Sequence, residues 1–200
     1  MFDVLIIGGG VAGMSCALVL GSAHKKHFVA DKKIGILTHQ KGSSLKDALF
    51  NNAYGIAAGT LGSTLMSESV SQLHSLYPHI LQIEDEKVLR IEGDAPNFKI
   101  VTNKNTYETK AIVIAIGYNN TFYIDGLMQY VEPHQKTIPE KNRIQLRNVD
   151  HKIADGIYVA GNLAGWRSQL SIAAGSGAAV ATDILTLWNN GMHAQSHDKA

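Results

Sequence analysis

Apolar residues fall along this chain in blocks with two different periods. Val4-Leu5-Ile6-Ile7, Ala111-Ile112-Val113-Ile114-Ala115-Ile116 and Ile157-Tyr158-Val159-Ala160 are unbroken β-branched and aliphatic runs, each followed by a glycine. Such runs predict strands of a parallel sheet buried on both faces. A helical period marks Val11 to Leu20, closed by Gly21; Leu65 to Tyr77, closed by Pro78; and Gln169 to Leu187, the longest pattern. His27-Phe28-Val29-Ala30-Asp31 reads as a second strand ending in an acid, completing a βαβ unit. From Lys32 to Leu61 the chain is rich in Gly, Ser and Asn, which predicts loop with a short helix near Leu45–Phe50. Short strands at Ile80–Ile83, Lys87–Ile91, Phe98–Thr102 and Thr106–Thr109 have the pattern of a β-meander or hairpin; Phe122–Ile124 and Arg143–Leu146 are further strand candidates. Residues 1–188 are expected to form one domain, with 189–200 a polar, disordered tail.

The first strand and helix are joined by Gly8-Gly9-Gly10-Val11-Ala12-Gly13, which contains G-x-G-x-x-G at Gly8, Gly10 and Gly13. Between a buried strand and a helix, with an acid about 20 residues on, this spacing points to a dinucleotide. Gly8 allows the tight turn, Gly10 admits a pyrophosphate, and Gly13 lets helix approach strand; the N–H groups of Val11 and Ala12 open the helix toward the phosphates. Asp31 is expected to accept hydrogen bonds from the adenosine ribose, with Lys32 beside it. His39 and Gln40 are expected in a loop close to the dinucleotide.

Composition narrows the partner. Lys and Arg exceed Asp and Glu by one, and no basic cluster is longer than two residues, so neither nucleic acid nor an anionic membrane is indicated. The glycine-interrupted apolar N-terminus, with Asp3 as its first charge, fits neither a signal peptide nor a span, and the expected location is the cytoplasm. Glycine is abundant, 19 of 200 residues against a usual share of about 7%. The single cysteine, Cys16, excludes an internal disulfide or Cys-x-x-Cys pair and reads as a small core residue. Nine histidines scattered along the chain, with no cysteine near any of them in a zinc-type pattern, argue against a metal site. Ser63 and Ser67 read as helix-capping or solvated residues, and Trp166 either flanks a bound ring or packs at a loop.

The β-rich excursion near residues 80–110 interrupts simple αβ winding, and in this the chain resembles the FAD domain of thioredoxin-reductase-like flavoproteins. FDVLIIGGGVAG is similar to that family's N-terminal fingerprint, and Asn52-Ala53-Tyr54-Gly55 falls where its Asn-aromatic-Pro-Gly loop lies. AIVIAIG resembles its Ala-Thr-Gly strand. DGIYVAGN resembles its Gly-Asp motif with Asn162 in the acid's place, and QLSIAAGSGAAVA its last helix. The resemblance implies an α/β, Rossmann-like FAD-binding domain with a parallel central sheet and a small β-meander. It also implies that Asn162 meets a ribityl hydroxyl, that Gln169 and Leu170 open a helix toward the flavin pyrimidine edge, and that the chain forms a homodimer. The cofactor residues so assigned are Gly8, Gly10, Val11, Ala12, Gly13, Asp31, Lys32, His39, Gly117, Gly161, Asn162, Gln169 and Leu170. No catalytic residue is assigned.

The family's reductases insert an NADPH domain between the Ala-Thr-Gly and Gly-Asp strands. Here that interval, Tyr118 to Asp155, is 38 residues without cysteine or a second glycine motif. A second domain would need on the order of 100 residues more. The expectation is an FAD-dependent oxidoreductase, not a thioredoxin reductase, that exchanges electrons with a diffusible nicotinamide coenzyme, another small molecule or a partner protein. The alternatives are a non-enzymatic flavin-binding sensor or subunit, and NAD in place of FAD.

Overall fold

A computed structural model of the chain describes residues 1–39, 45–118 and 120–197. The central sheet begins with β1 (Val4–Ile7), followed by α1 (Val11–Ser22) and β2 (Ile34–Thr38). A hairpin of two-residue strands, β3 (Leu49–Phe50) and β4 (Thr60–Leu61), leads into α2 (Gly62–Leu76) and β5 (Ile80–Glu84). Then come β6 (Val88–Glu92), β7 (Phe98–Thr102), β8 (Thr106–Thr109) and β9 (Ile112–Ile114). A small antiparallel pair, β10 (Val131–Pro133) and β11 (Ile144–Leu146), precedes β12 (Lys152–Ala154), β13 (Ile157–Val159) and α3 (Leu170–Trp188).

The six-stranded sheet has the order β12-β13-β9-β1-β2-β5; only β12 pairs antiparallel within it. Alternation along β1 explains why its run has no polar position. Val4 and Ile6 pack into the cluster formed with α1 and α3, through Leu20, Val180 and Ile184. Leu5 and Ile7 face the other way, against Phe98, Ile100, Leu127 and Leu146. One face of the sheet is therefore covered by helices and the other by the antiparallel β6-β7-β8 sheet and the segment carrying β10 and β11. Complete burial of each such aliphatic side chain is worth about 1.5–3 kcal/mol, and Leu5 and Ile6 are both fully buried. By length and mean hydropathy α3 alone, among the described residues, could cross a membrane; here its Val180, Ala181, Ile184 and Leu185 are buried in the core.

Several expectations need correction. The second strand is Ile34–Thr38, not His27–Asp31, because the run Ile34-Gly35-Ile36-Leu37 pairs with β1 on one side and β5 on the other. Residues 24–31 form turns that bury Val29 beneath the core and leave Asp31 exposed. Leu45–Phe50 is a turn leading into β3, with no helix. Ile80–Glu84 joins the parallel sheet as its edge, so the meander has three strands, not four. Phe122–Ile124 forms no strand; it precedes an isolated bridge between Asp125 and Arg90, with Phe122 and Ile124 buried. In the tail, Ala194 joins the helix-side core cluster and its N–H donates to Thr186 Oγ1 at 3.3 Å; residues 198–200 lie outside the described residues.

Candidate functional site

From β1 the chain winds outward through β2 and β5, then returns across β1 to β9 and β13. The reversal opens a crevice beyond the C-terminal ends of β1 and β9, the place where open α/β sheets bind ligands. Gly8 turns the chain there with φ +115°, and a Cβ on it would lie 2.8 Å from the Ala115 carbonyl carbon and from Ile116 Cγ2. No other residue type fits that position without strain. The next contacts are equally close: a Cβ at Gly13 would meet the Gly8 carbonyl, and one at Gly177 would lie 2.8 Å from the Ala12 carbonyl carbon. Helices α1 and α3 are thus pressed together beside the crevice.

A cavity of about 320 Å³ occupies this place. Gly10, Val11 and Ala12 open α1 onto it, and Ser168, Gln169 and Leu170 open α3 onto it. Neither N-cap residue, Gly10 or Gln169, places a side-chain acceptor on its helix's first turn, and neither first turn contains an acid. Two positive helix ends therefore face one space, which suits negative charge on a ligand. Gly161, held at φ +75°, and Asn162 line the same wall. The Asn162 Oδ1 is buried without a hydrogen-bond partner. Buried acceptors are nearly always satisfied, so this oxygen marks a place for a donor. Among the described residues, the lining contains no Asp, Glu, His, Lys, Arg or Cys.

A second cavity of about 440 Å³ shares Ile116 and Gly117 with the first and extends over Gly8 to His39, Glu86, Lys87 and Val88. Glu86 anchors its floor. Its carboxylate accepts hydrogen bonds from Thr102 Oγ1 at 2.6 Å, Asn105 Nδ2 at 2.7 Å and Tyr107 OH at 2.8 Å. Burial would raise the pKa of Glu86, but the bonds from Thr102, Tyr107 and Asn105 outweigh it and hold the carboxyl below the usual range. The Glu86 N–H also donates to the Thr38 carbonyl at 3.2 Å, tying the meander to the end of β2.

The structure brings Gly10, Val11, Ala12, Gly117, Gly161, Asn162, Gln169 and Leu170 around the first cavity, with Gly8 and His39 on the second. Gly13 acts behind them, in packing α1 on the turn. Asp31 and Lys32 do not join them. They precede β2 at its N-terminal end, where Lys32 Nζ lies 3.9 Å from Asp3 Oδ1, a full strand from Gly8 at roughly 3.3 Å per residue. His39 stands at the end of β2, where the acid is expected; Gln40 lies outside the described residues. Lys87, Tyr118 and Phe50 also reach the cavities without a sequence signal, since they arrive from elements whose pairing is non-local. Cys16 is fully buried, and burial pushes its thiol pKa up, so it is no nucleophile. Ser67 Oγ donates to the Thr64 carbonyl at 3.0 Å, Tyr54 is fully exposed, and Trp166 is 41% exposed outside both cavity linings.

Comparison with known proteins bears on the fold and the family. Over 161 residues the chain is 29% identical to ferredoxin–NADP reductase 2 of Listeria welshimeri, covering 78% of this chain and 43% of that protein. Over 134 residues it is 31% identical to an uncharacterized oxidoreductase, CzcO, of Bacillus subtilis, covering 58% and 36%. The chain spans less than half the length of these curated relatives. Among solved structures, an oxidoreductase from Agrobacterium tumefaciens superposes with a TM-score of 0.73 at 14% identity, covering 93% of this chain and 98% of that one. A thioredoxin reductase from Gloeobacter violaceus gives 0.72 at 15% identity, covering 100% and 98%. These likenesses bear out the expected thioredoxin-reductase-like, Rossmann-type fold. Residues 2–164, which include β1 to β13 and every strand end around the crevice, match the description "pyridine nucleotide-disulphide oxidoreductase", and the chain belongs to that family.

Proposed function

We propose that residues 1–188 bind FAD across the two cavities and act as an oxidoreductase without a dithiol. The observation that carries the reading is the convergence of two uncapped helix N-termini and the unpartnered Asn162 Oδ1 on one cavity that continues past Gly117 into a second. These residues fit the cofactor. The opening of α1 at Gly10, Val11 and Ala12 would take the pyrophosphate. Asn162 Oδ1 would accept a ribityl hydroxyl, and Gln169 with the first turn of α3 would face the pyrimidine edge of the ring. The adenosine end would lie in the second cavity between His39 and Lys87–Val88, with Glu86 holding that wall rigid.

Bound FAD supplies electron transfer; the chain's own residues bind it, neutralise its anionic parts and limit access. With the one cysteine of these 200 residues buried and no charged side chain among the described residues that line the first cavity, these residues offer no dithiol there. The electron donor and acceptor are then a nicotinamide coenzyme, another small molecule or a partner protein.

The test is purification followed by acid release and chromatography of the bound nucleotide, then titration of stripped protein with FAD by flavin fluorescence. A flavin spectrum and saturable FAD binding are expected. Colourless protein retaining NAD, or protein that no flavin saturates, overturns the reading. Anaerobic bleaching by NADH or NADPH would then identify a nicotinamide donor, while bleaching that requires a copurifying protein would identify a subunit.

A further inference from the structure

Behind the first cavity, away from its lining, one imidazole nitrogen joins three segments of the chain. Ser176, on α3, is 6% exposed, and its Oγ accepts the Gly161 N–H at 2.7 Å. The same Oγ lies 2.9 Å from Nε2 of His151. Trp166 Nε1 lies 3.1 Å from that nitrogen, and the two rings stack with centroids 6.0 Å apart at 27°. An indole nitrogen can only donate, so Nε2 must carry a lone pair and the ring proton sits on Nδ1. Ser176 already accepts from Gly161, which leaves its hydrogen to point at Nε2. A single nitrogen accepts from two donors, and only the neutral ring permits this.

The backbone holds His151 in place for the task. Asp150 and His151 both adopt left-handed conformations, φ +46° and +69°, which non-glycine residues rarely do. Asn148 Oδ1 accepts the His151 N–H at 3.1 Å, while Asn148 Nδ2 donates to the Ala164 carbonyl at 3.3 Å. The Val159 N–H donates to the His151 carbonyl at 2.8 Å. Charged groups face this hub from three directions: Asp150 beside it, Asp183 on α3, and Lys136, whose Nζ lies 4.2 Å from the Trp166 ring. Burial opposes the imidazolium, the two carboxylates favour it, and burial prevails, keeping the pKa of His151 below its ordinary 6.5.

We infer that His151 is a proton-sensitive positioning residue for the cofactor cavity: neutral, its Nε2 holds the Trp166 indole; protonated, that nitrogen becomes a donor to Ser176 Oγ, which keeps its bond from the Gly161 N–H, and Trp166 is released. Trp166 stands two residues before Ser168, which lines that cavity at the opening of α3, so this side of the cavity slackens in mild acid while the Gly161 wall holds. The hydrogen-bond hub stands independently of the cofactor; its effect on FAD rests on the reading above.

The test uses the purified chain labelled with ¹⁵N. Two signals are followed from about pH 7.5 to about pH 5, the range in which a histidine titrates: the Trp166 indole N–H, told from Trp188 by Trp166→Phe, and the exchange protection of the Gly161 amide. The expected result is an indole shift with one midpoint below 6.5, while the Gly161 and β1 amides stay protected across the range. His151→Gln places an amide oxygen near the site of Nε2 and does not titrate, so its Trp166 indole signal should stay flat; Ser176→Ala should lose Gly161 protection at every pH. An indole signal that does not titrate overturns the inference, as does an indole titration that survives His151→Gln. The FAD dissociation constant should rise in acid with the same midpoint, and a flat constant beside a titrating hub overturns the link to the cavity. If FAD binds at no pH, the cofactor reading falls, and the indole signal decides the hub alone.

Discussion

Replacing Gly117 by valine separates what the fold requires from what a bound dinucleotide requires. A Cβ on Gly117 meets no heavy atom within 4 Å, and its φ lies outside the left-handed region, so the protein has no steric need of glycine there. The stability of the cofactor-free chain should change by no more than about 0.5 kcal/mol, as for an unconstrained surface position. Yet Gly117 lines both cavities at their junction, where a ligand spanning them must cross. A valine there intrudes on the ligand, and overpacking of this kind costs about 1–3 kcal/mol, or roughly 5- to 150-fold in the FAD dissociation constant. Gly8→Ala is the opposite control. Its methyl would press on the Ala115 carbonyl at a φ of +115°, so the cofactor-free fold itself should lose more than about 2 kcal/mol. Urea unfolding of stripped protein and fluorescence titration with FAD read the two quantities separately. Native FAD affinity in Gly117→Val would refute a ligand path across the junction, and a urea midpoint lowered as far as in Gly8→Ala would refute the open space.

Other substitutions probe the remaining groups. Asn162→Leu removes a buried oxygen that has no partner, so the stripped protein should be no less stable while FAD binding weakens by about 1 kcal/mol or more; unchanged affinity would remove Asn162 from the site. Glu86→Gln sets an amide donor among the hydroxyl and amide donors of Thr102, Asn105 and Tyr107 and should destabilise the fold by about 1–3 kcal/mol. Because the folded-state pKa of Glu86 lies below its ordinary 4.5, its contribution is present above that pH and is lost as pH falls through the folded value. Glu86→Gln should therefore flatten the acid limb of a stability-versus-pH curve, and an unaltered limb would count against the network. Cys16 should resist alkylation in the native protein and react fully in denaturant; labelling of the folded chain at the rate of a free thiol would contradict its burial.

Much of the sheet was legible from local signals. Val4–Ile7, Ile112–Ile114 and Ile157–Val159 announce themselves as unbroken apolar runs because both of their faces are covered. α2 ends at Leu76, just before Pro78, and α3 keeps its period for 19 residues. The position of β2 was less legible, since two short apolar stretches compete, one ending in Asp31 and the other interrupted by Gly35. Pairing with β1 and β5 decides between them, and no feature within ten residues reports it. The error carried into the site, moving Asp31 and Lys32 to the wrong end of the sheet. Glu86 and Lys87 were invisible for a similar reason: their place on the second cavity depends on the meander folding back over the sheet.

By itself the sequence determined the order of the buried strands, the glycine turn that opens α1, and the absence of a second glycine motif between Tyr118 and Asp155, because runs, spacings and counts are properties of neighbours along the chain. The tertiary structure alone decided which strand follows α1, which residue ends it, and that α1 and α3 aim their uncapped N-termini into one cavity over Asn162. It alone placed His151 behind that cavity, between Ser176 and Trp166. Those facts depend on contacts between residues far apart in the chain, whose free energy is set by pairing, burial and hydrogen-bond satisfaction once the whole core has formed.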